Sequence, residues 1–182
     1  TKAYTTQLVA GLLFAVYLGQ LNGKLDAALA KDILIGIHEL PELIHTIFEV
    51  DEDMKAFAKH YGFKTDAFFL GRSIDYAVAM EGALKLKEIS YIHAEAYAGG
   101  ELKHGTLALI EEGVPVIALA TQEDVFDKMI SNIREVKARE AVVIGIGMKG
   151  DEEIAKHVDH TIYIPRANKF IAPILAVVPL QL

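Results

Sequence analysis

From Gly62 onward the chain alternates short, wholly apolar runs with amphipathic stretches of helical period, a texture that strand-helix-strand units satisfy. Four runs read as buried strands: Ala67 to Leu70, Val114 to Ala120, Ala141 to Ile146 and Thr161 to Ile164. Runs this apolar are expected of strands covered on both faces, which is the condition of a parallel sheet. Helices are expected near residues 74 to 92, 124 to 139 and 151 to 157, with a last one near 168 to 182. The fold class is therefore α/β, an open parallel sheet with helices on both faces. Ligands of such sheets sit outside the carboxyl ends of the strands, so the turns after Leu70, Ala120 and Ile146 are the places to look.

Ahead of the sheet the pattern is helical, in segments near 5 to 21, 26 to 38 and 41 to 61, with Pro41 marking the entry to the third. The longest apolar run, Leu8 to Leu21, has 14 residues and contains Gln20. A bilayer span takes roughly 20, so the run reads as a buried core helix and no membrane partner is expected. Only Lys2 hints at a signal peptide. The chain begins at Thr1 and stops inside the apolar stretch Ile171 to Leu182, and reads as a piece of a longer protein. Its 18 Lys and Arg against 25 Asp and Glu give a net charge of −7, without the basic footprint of a nucleic-acid binder. With no Cys at all, disulfides, thiolate metal sites and a thiol nucleophile are excluded, and a cytoplasmic setting is expected.

Four constellations could carry chemistry. Gly145-Ile-Gly-Met-Lys-Gly150 matches the dinucleotide fingerprint G-x-G-x-x-G, but the region about 20 residues on, Pro165-Arg-Ala-Asn-Lys169, offers no acid for the ribose hydroxyl. A turn that uses glycine for positive φ is the favoured reading. Leu70-Gly71-Arg72-Ser73 ends a strand and opens a helix, where backbone N–H groups and Arg72 can attract an anion and Ser73 can cap. On the helix that follows, Glu81, Lys85 and Glu88 fall within about 60° of one another at 100° per residue, a narrow charged stripe flanked by apolar residues. Such a stripe is expected to line a cleft, where a carboxylate can serve as a proton-transferring base; an ordinary surface Glu-Lys pair is the alternative. Finally, His93 to Gly105 packs two His, two Glu, a Lys and three Gly into a polar loop. His104 is its acid-base candidate, and a metal site from His93, Glu95 and His104 lacks the spacing that would support it.

The continuous stretch from Leu70-Gly-Arg-Ser-Ile-Asp-Tyr through Glu81-Gly-Ala-Leu-Lys-Leu-Lys-Glu88 to Gly-Glu-Leu-Lys-His-Gly105 closely resembles the isomerase part of the glucosamine-6-phosphate synthase family, and the resemblance runs from Thr1 to Leu182. It implies a sugar isomerase (SIS) fold, with residues 1–23 the last helix of a preceding SIS domain, 24–62 a helical lead-in and 63–182 the SIS domain itself. It further implies conversion of fructose 6-phosphate and glutamine-derived ammonia to glucosamine 6-phosphate, without metal or dinucleotide cofactor. Carried over residue by residue, Glu88 moves the proton between C1 and C2, Lys85 stands beside it, and His104 assists ring opening; Glu81, Arg72 and Ser73 are binding or supporting residues. The implied partners are the hexose-phosphate substrate, the glutaminase and first SIS domains of the parent chain, and a second copy in a homodimer. The imine-forming Lys is expected in a tail beyond Leu182, so the fragment alone is expected to be inactive. Thr106 stands where the family commonly has Pro, a change expected to loosen the loop mildly. The alternative, a noncatalytic sugar-phosphate-binding SIS module, needs a phosphate-cradling Ser/Thr cluster that the sequence does not show.

Overall fold

The computed structural model describes residues 2–48, 51–62 and 64–182. The expected boundary at residues 62 to 63 touches Phe63, and the expected helix 41 to 61 crosses Glu49 and Val50; these three lie outside the described residues. The elements are α1 (Lys2–Leu21), α2 (Ala27–Ile47), α3 (Asp51–Tyr61), β1 (Asp66–Gly71), α4 (Ile74–Ser90), β2 (His93–Ala98), β3 (Pro115–Leu119), α5 (Phe126–Lys137), β4 (Val142–Met148), β5 (His160–Ile164) and α6 (Ala172–Ala176). Short 3-10 segments at Gly99–His104, Thr106–Leu109, Glu123–Val125 and Ile154–Lys156 fill the connections.

The five strands pair in parallel in the order β2-β1-β3-β4-β5. Side chains alternate across the sheet. Ala67 and Phe69 of β1 and Leu119 of β3 join one core with α2, α4 and α6, while Phe68, Leu70, Val116 and Ala118 join a second core with α5 and the 3-10 segments. The apolar runs read from the sequence as doubly covered strands are thus β1, β3, β4 and β5.

Four expectations are corrected. β2 lies inside the segment read as a polar loop. Pro41 does not start a helix but sits within α2. Ile33, Leu40 and Ile47 of that helix are all buried at seven-residue spacing, and at about 1.5–3 kcal/mol each their burial offsets the roughly 3 kcal/mol that an interior proline costs. Asp26 starts α2 by accepting from the N–H groups of Ala28 and Leu29 at 3.0 and 3.1 Å. The expected helices at 151 to 157 and 168 to 182 shrink to a 3-10 turn and to the short α6.

The fourth correction concerns α1, which is no buried core helix. One stripe, Tyr4, Leu8, Val9, Leu12 and Val16, packs inward, while Leu13, Phe14, Tyr17, Leu18 and Leu21 stand exposed. By length and composition alone it could cross a membrane, but a helix apolar all round also suits one wedged between two protein layers.

β1 and α4 are joined without room to spare. A Cβ on Gly71 would lie 2.4 to 2.5 Å from the backbone of Asp75 and Tyr76, whereas one on Gly11 of α1 meets nothing within 4 Å. Gly71→Ala is therefore expected to cost about 1–3 kcal/mol through forced displacement. In contrast, Gly11→Ala should be neutral or gain up to about 1 kcal/mol from helix propensity. Urea denaturation of the two variants checks the pair.

Candidate functional site

α4 lies on the sheet through small residues, Val78, Ala79, Gly82 and Ala83, and this close seat leaves Glu81, Lys85 and Glu88 on its flank. The Lys85 ammonium donates to Glu88 at 2.5 Å and stands 3.9 Å from Glu81. Side-chain exposure is 11% at Glu81, 16% at Lys85 and 52% at Glu88. The stripe therefore grades from a withdrawn acid, through a shielded ammonium, to an open carboxylate. Its hydrogen bond to Glu88 raises the pKa of Lys85, which keeps it a cation near neutrality. Lys85 also borders an apolar cleft of about 330 Å³, with Phe57 of α3, Phe69 of β1 and Leu86 of α4 among its walls. Tyr4 of α1 faces the other end of the stripe, its phenol pKa raised by burial and by the Glu81 charge. Of the stripe expected to line a cleft, Lys85 borders this one, while Glu81 and Glu88 are not among its lining residues.

At the carboxyl edge of β1 the expected anion site looks different. Ser73 holds φ 55° and makes no side-chain cap bond, so its expected capping role is not realised. Cap geometry needs an extended N-cap residue whose oxygen reaches the first turn, and the tight Gly71-Asp75 contact forbids it. Arg72 turns to the α5 face and donates to Asn132 Oδ1 at 2.7 Å. The carboxylate nearest this turn belongs to the chain itself: Asp75, 1% exposed, accepts from the Thr121 backbone N–H at 2.8 Å and from its hydroxyl at 2.6 Å. The first turn of α4 is thereby tied to the loop after β3.

The remaining candidates separate along β2. His93, at its amino end, bonds to Asp66 at 2.8 Å and lies 3.5 Å from Glu95. Its pKa is raised chiefly by the Asp66 bond. Glu95 accepts from the Tyr97 hydroxyl, which lowers the Glu95 pKa. His104 lies beyond the opposite end of the strand, exposed, and followed by Gly105 at φ +143°.

Glu88 and His104 do not meet. Glu88 is near the carboxyl end of α4, roughly 20 Å along the helix axis from its start. α4 packs on the first core and the segment Gly99–His104 on the second, so the sheet stands between them. Sequence spacing could not reveal this, because the face is decided by β2, which the sequence hid.

The glycine motif is also relocated. Gly145 and Gly147 lie within β4, where Ile154 packs so close that a Cβ on Gly145 would sit 2.9 Å from it. Only Gly150 of the three takes a positive φ. The nearby cavity of about 400 Å³ is bordered by Glu123, Asp151, Glu152 and Glu153, with Arg166 already paired to Glu123 at 2.7 Å. Such a lining repels a pyrophosphate.

Comparison with known proteins follows the same lines. The model of the SIS domain family matches residues 64–182. Among curated relatives, the glutamine–fructose-6-phosphate aminotransferases [isomerizing] of Symbiobacterium thermophilum and Clostridium tetani are each 53% identical over 182 residues, covering 100% of this chain and 30% of theirs. The chain thus spans under a third of the length of these relatives. Among solved structures, the C-terminal domain of glucosamine-fructose-6-phosphate aminotransferase from Francisella tularensis superposes with a TM-score of 0.93 at 36% identity, covering 100% of this chain and 51% of that one.

One electrostatic consequence is measurable. Burial raises the Asp75 pKa, against the lowering effect of its bonds to Thr121 and Gln122. In the unfolded chain an Asp titrates near 3.9. Between that value and the raised one the folded state holds more protons, so stability falls as pH rises through the window. Asp75→Asn should flatten this slope, read from urea denaturation at a series of pH values.

Proposed function

This chain belongs to the SIS domain family, and we propose that it is the second isomerase domain of a glutamine–fructose-6-phosphate aminotransferase, carrying the base that interconverts ketose and aldose. Identity of 53% along the whole chain supports the reading, as does the ordered set Glu81, Lys85, Glu88 on α4. Glu88 takes a proton from C1 of the open-chain fructose 6-phosphate imine; the C1–H pair forms the C1–C2 double bond while the C2=N pair moves to nitrogen, which takes up a proton from solvent. The same carboxyl then returns the proton to C2 as the C1 hydroxyl gives up its proton to solvent and becomes the carbonyl, leaving the open-chain aldehyde of glucosamine 6-phosphate. Half-exposed, Glu88 can reach a substrate presented from outside, with the Lys85 ammonium beside it. Because Lys85 is held as a cation by Glu88 and Glu81, it supplies charge rather than a nucleophilic amine. Glu81 is a supporting residue that steadies Lys85.

The observation that carries the reading furthest is the sheet between Glu88 and His104. A single hexose phosphate cannot touch both in one copy of this chain. His104, exposed at the carboxyl edge, accordingly serves the site of a second copy in a homodimer, where it assists ring opening. The exposed stripe of α1, Phe14, Tyr17, Leu18 and Leu21, seats the preceding SIS domain, which holds the sugar phosphate.

In the full-length enzyme, Glu88→Gln should lower turnover by about 10² to 10⁴, because the amide keeps the shape and cannot accept the proton. Turnover within a few-fold of wild type removes the assignment. Co-expression of Glu88→Gln and His104→Ala subunits tests the second part. Mixed dimers contain one site with both residues intact and should recover activity that neither parent shows. Absence of recovery, with mixed dimers isolated by two affinity tags, places His104 outside a shared site.

A further inference from the structure

The segment that carries His104 is held at its root by a contact that the reaction itself does not require. The Arg72 side chain crosses from the end of β1 to the α5 side, where its guanidinium bonds to Asn132 at 2.7 Å. Asn132 is itself buried, 6% exposed. Directly against this pair runs the backbone of Gly99 and Gly100. A Cβ on Gly99 would lie 2.5 Å from Asn132 Oδ1 and 3.1 Å from Arg72 Cγ, and one on Gly100 would lie 3.5 Å from Arg72 Nη2. No side chain fits at Gly99, so the start of the segment is pressed onto the Arg72-Asn132 pair. Further ties continue toward His104. Leu102 is fully buried in the second core, Asn132 donates to Glu135 at 3.3 Å, and Glu135 pairs with Lys103 at 3.0 Å. His104 and Gly105 follow directly on these ties.

We propose that Arg72 is a positioning residue: with Asn132 it clamps the Gly99-Gly100 backbone and so fixes how far His104 projects toward the neighbouring subunit's site. The proposal rests on the His104 role given above and assigns to Arg72 no contact with substrate. A guanidinium suits the task, because its planar fork can bond to Asn132 while its flat face lies along the glycine backbone. Lysine, a point charge on a flexible stem, cannot do both.

The test uses the full-length dimer with Arg72→Lys. Hydrogen exchange at the amides of Leu102 to Gly105 should quicken at least tenfold while exchange in β3 and β4 stays unchanged. Turnover should fall about tenfold, with KM for fructose 6-phosphate within twofold of wild type. In a His104→Ala background, Arg72→Lys should add no further loss. Asn132→Leu, which removes the acceptor, should lower turnover and quicken exchange as Arg72→Lys does. Unchanged exchange overturns the clamp. A loss that falls on KM, or that adds in full to His104→Ala, overturns the positioning role, since Arg72 would then act on substrate or elsewhere. If His104→Ala alone leaves turnover intact, the His104 assignment fails instead, and the exchange measurement still decides whether the clamp exists.

Discussion

An all-parallel sheet must be covered on both faces, and the rest of this structure follows from which element covers which. β1 and β3 carry large or branched side chains on each side, so neither face tolerates water. Consecutive parallel strands need a crossover that travels the length of the sheet. α4 is that crossover between β1 and β2 and runs back along the first face, bringing its carboxyl end to the amino edge of the strands. The chain then climbs β2 and emerges at the other edge, on the second face. The same requirement that buries the core sends the Glu88-bearing helix and the His104-bearing segment to opposite corners.

Two carboxylates show how differently the surroundings can treat an acid. Asp75 is enclosed and surrounded by neutral donors from Thr121 and Gln122, which offset its desolvation in part and without a counter-charge. Such a group holds an α-helix to a strand turn, and at 1% exposure it cannot reach a substrate. Glu88 is half exposed with an ammonium at 2.5 Å, a geometry that pairs the carboxylate yet leaves it accessible. Both are near apolar surface in the sequence, and only the surroundings of each distinguish them.

Much of this was legible beforehand. β1, β3 and β4 announce themselves because strands covered on both faces are apolar almost without interruption, and β5, at the sheet edge, shows through Ile162 and Ile164. The stripe of Glu81, Lys85 and Glu88 is equally visible, because helical period alone brings residues at three, four and seven together. β2 was not legible. Its residues, His-Ala-Glu-Ala-Tyr-Ala, include no branched aliphatic, since one face needs only alanines beneath α4 and the other is an edge occupied by His93, Glu95 and Tyr97. Its polar composition is what an edge strand carries to discourage further pairing. Missing β2 hid the face on which His104 emerges. Glycines misled in the opposite sense: Gly145 and Gly147 spell a loop motif but lie flat in β4, where the absence of a side chain admits Ile154. The hydrogen bonds of Arg72 and Asp75 link residues 60 and 46 positions apart, separations over which no local pattern speaks.

α1 connects these themes. A helix apolar on every side looks in sequence like the centre of a core, yet here one stripe packs and the opposite one stands open. Its inward stripe includes Tyr4, whose phenol is held near Glu81 at the buried end of the charged stripe. On the reading proposed above, the preceding domain covers the outer stripe, and α1 then becomes a rigid spacer with that domain on one side and the Glu81-Lys85-Glu88 array on the other. A helix of 20 residues is long enough, at about 1.5 Å per residue, to fix orientation as well as distance. A phosphate held by the covering domain is thereby set at a constant separation from Glu88. Proton transfer between adjacent carbons demands that constancy, because the carboxylate must lie within hydrogen-bond reach of both C1 and C2 in one bound pose.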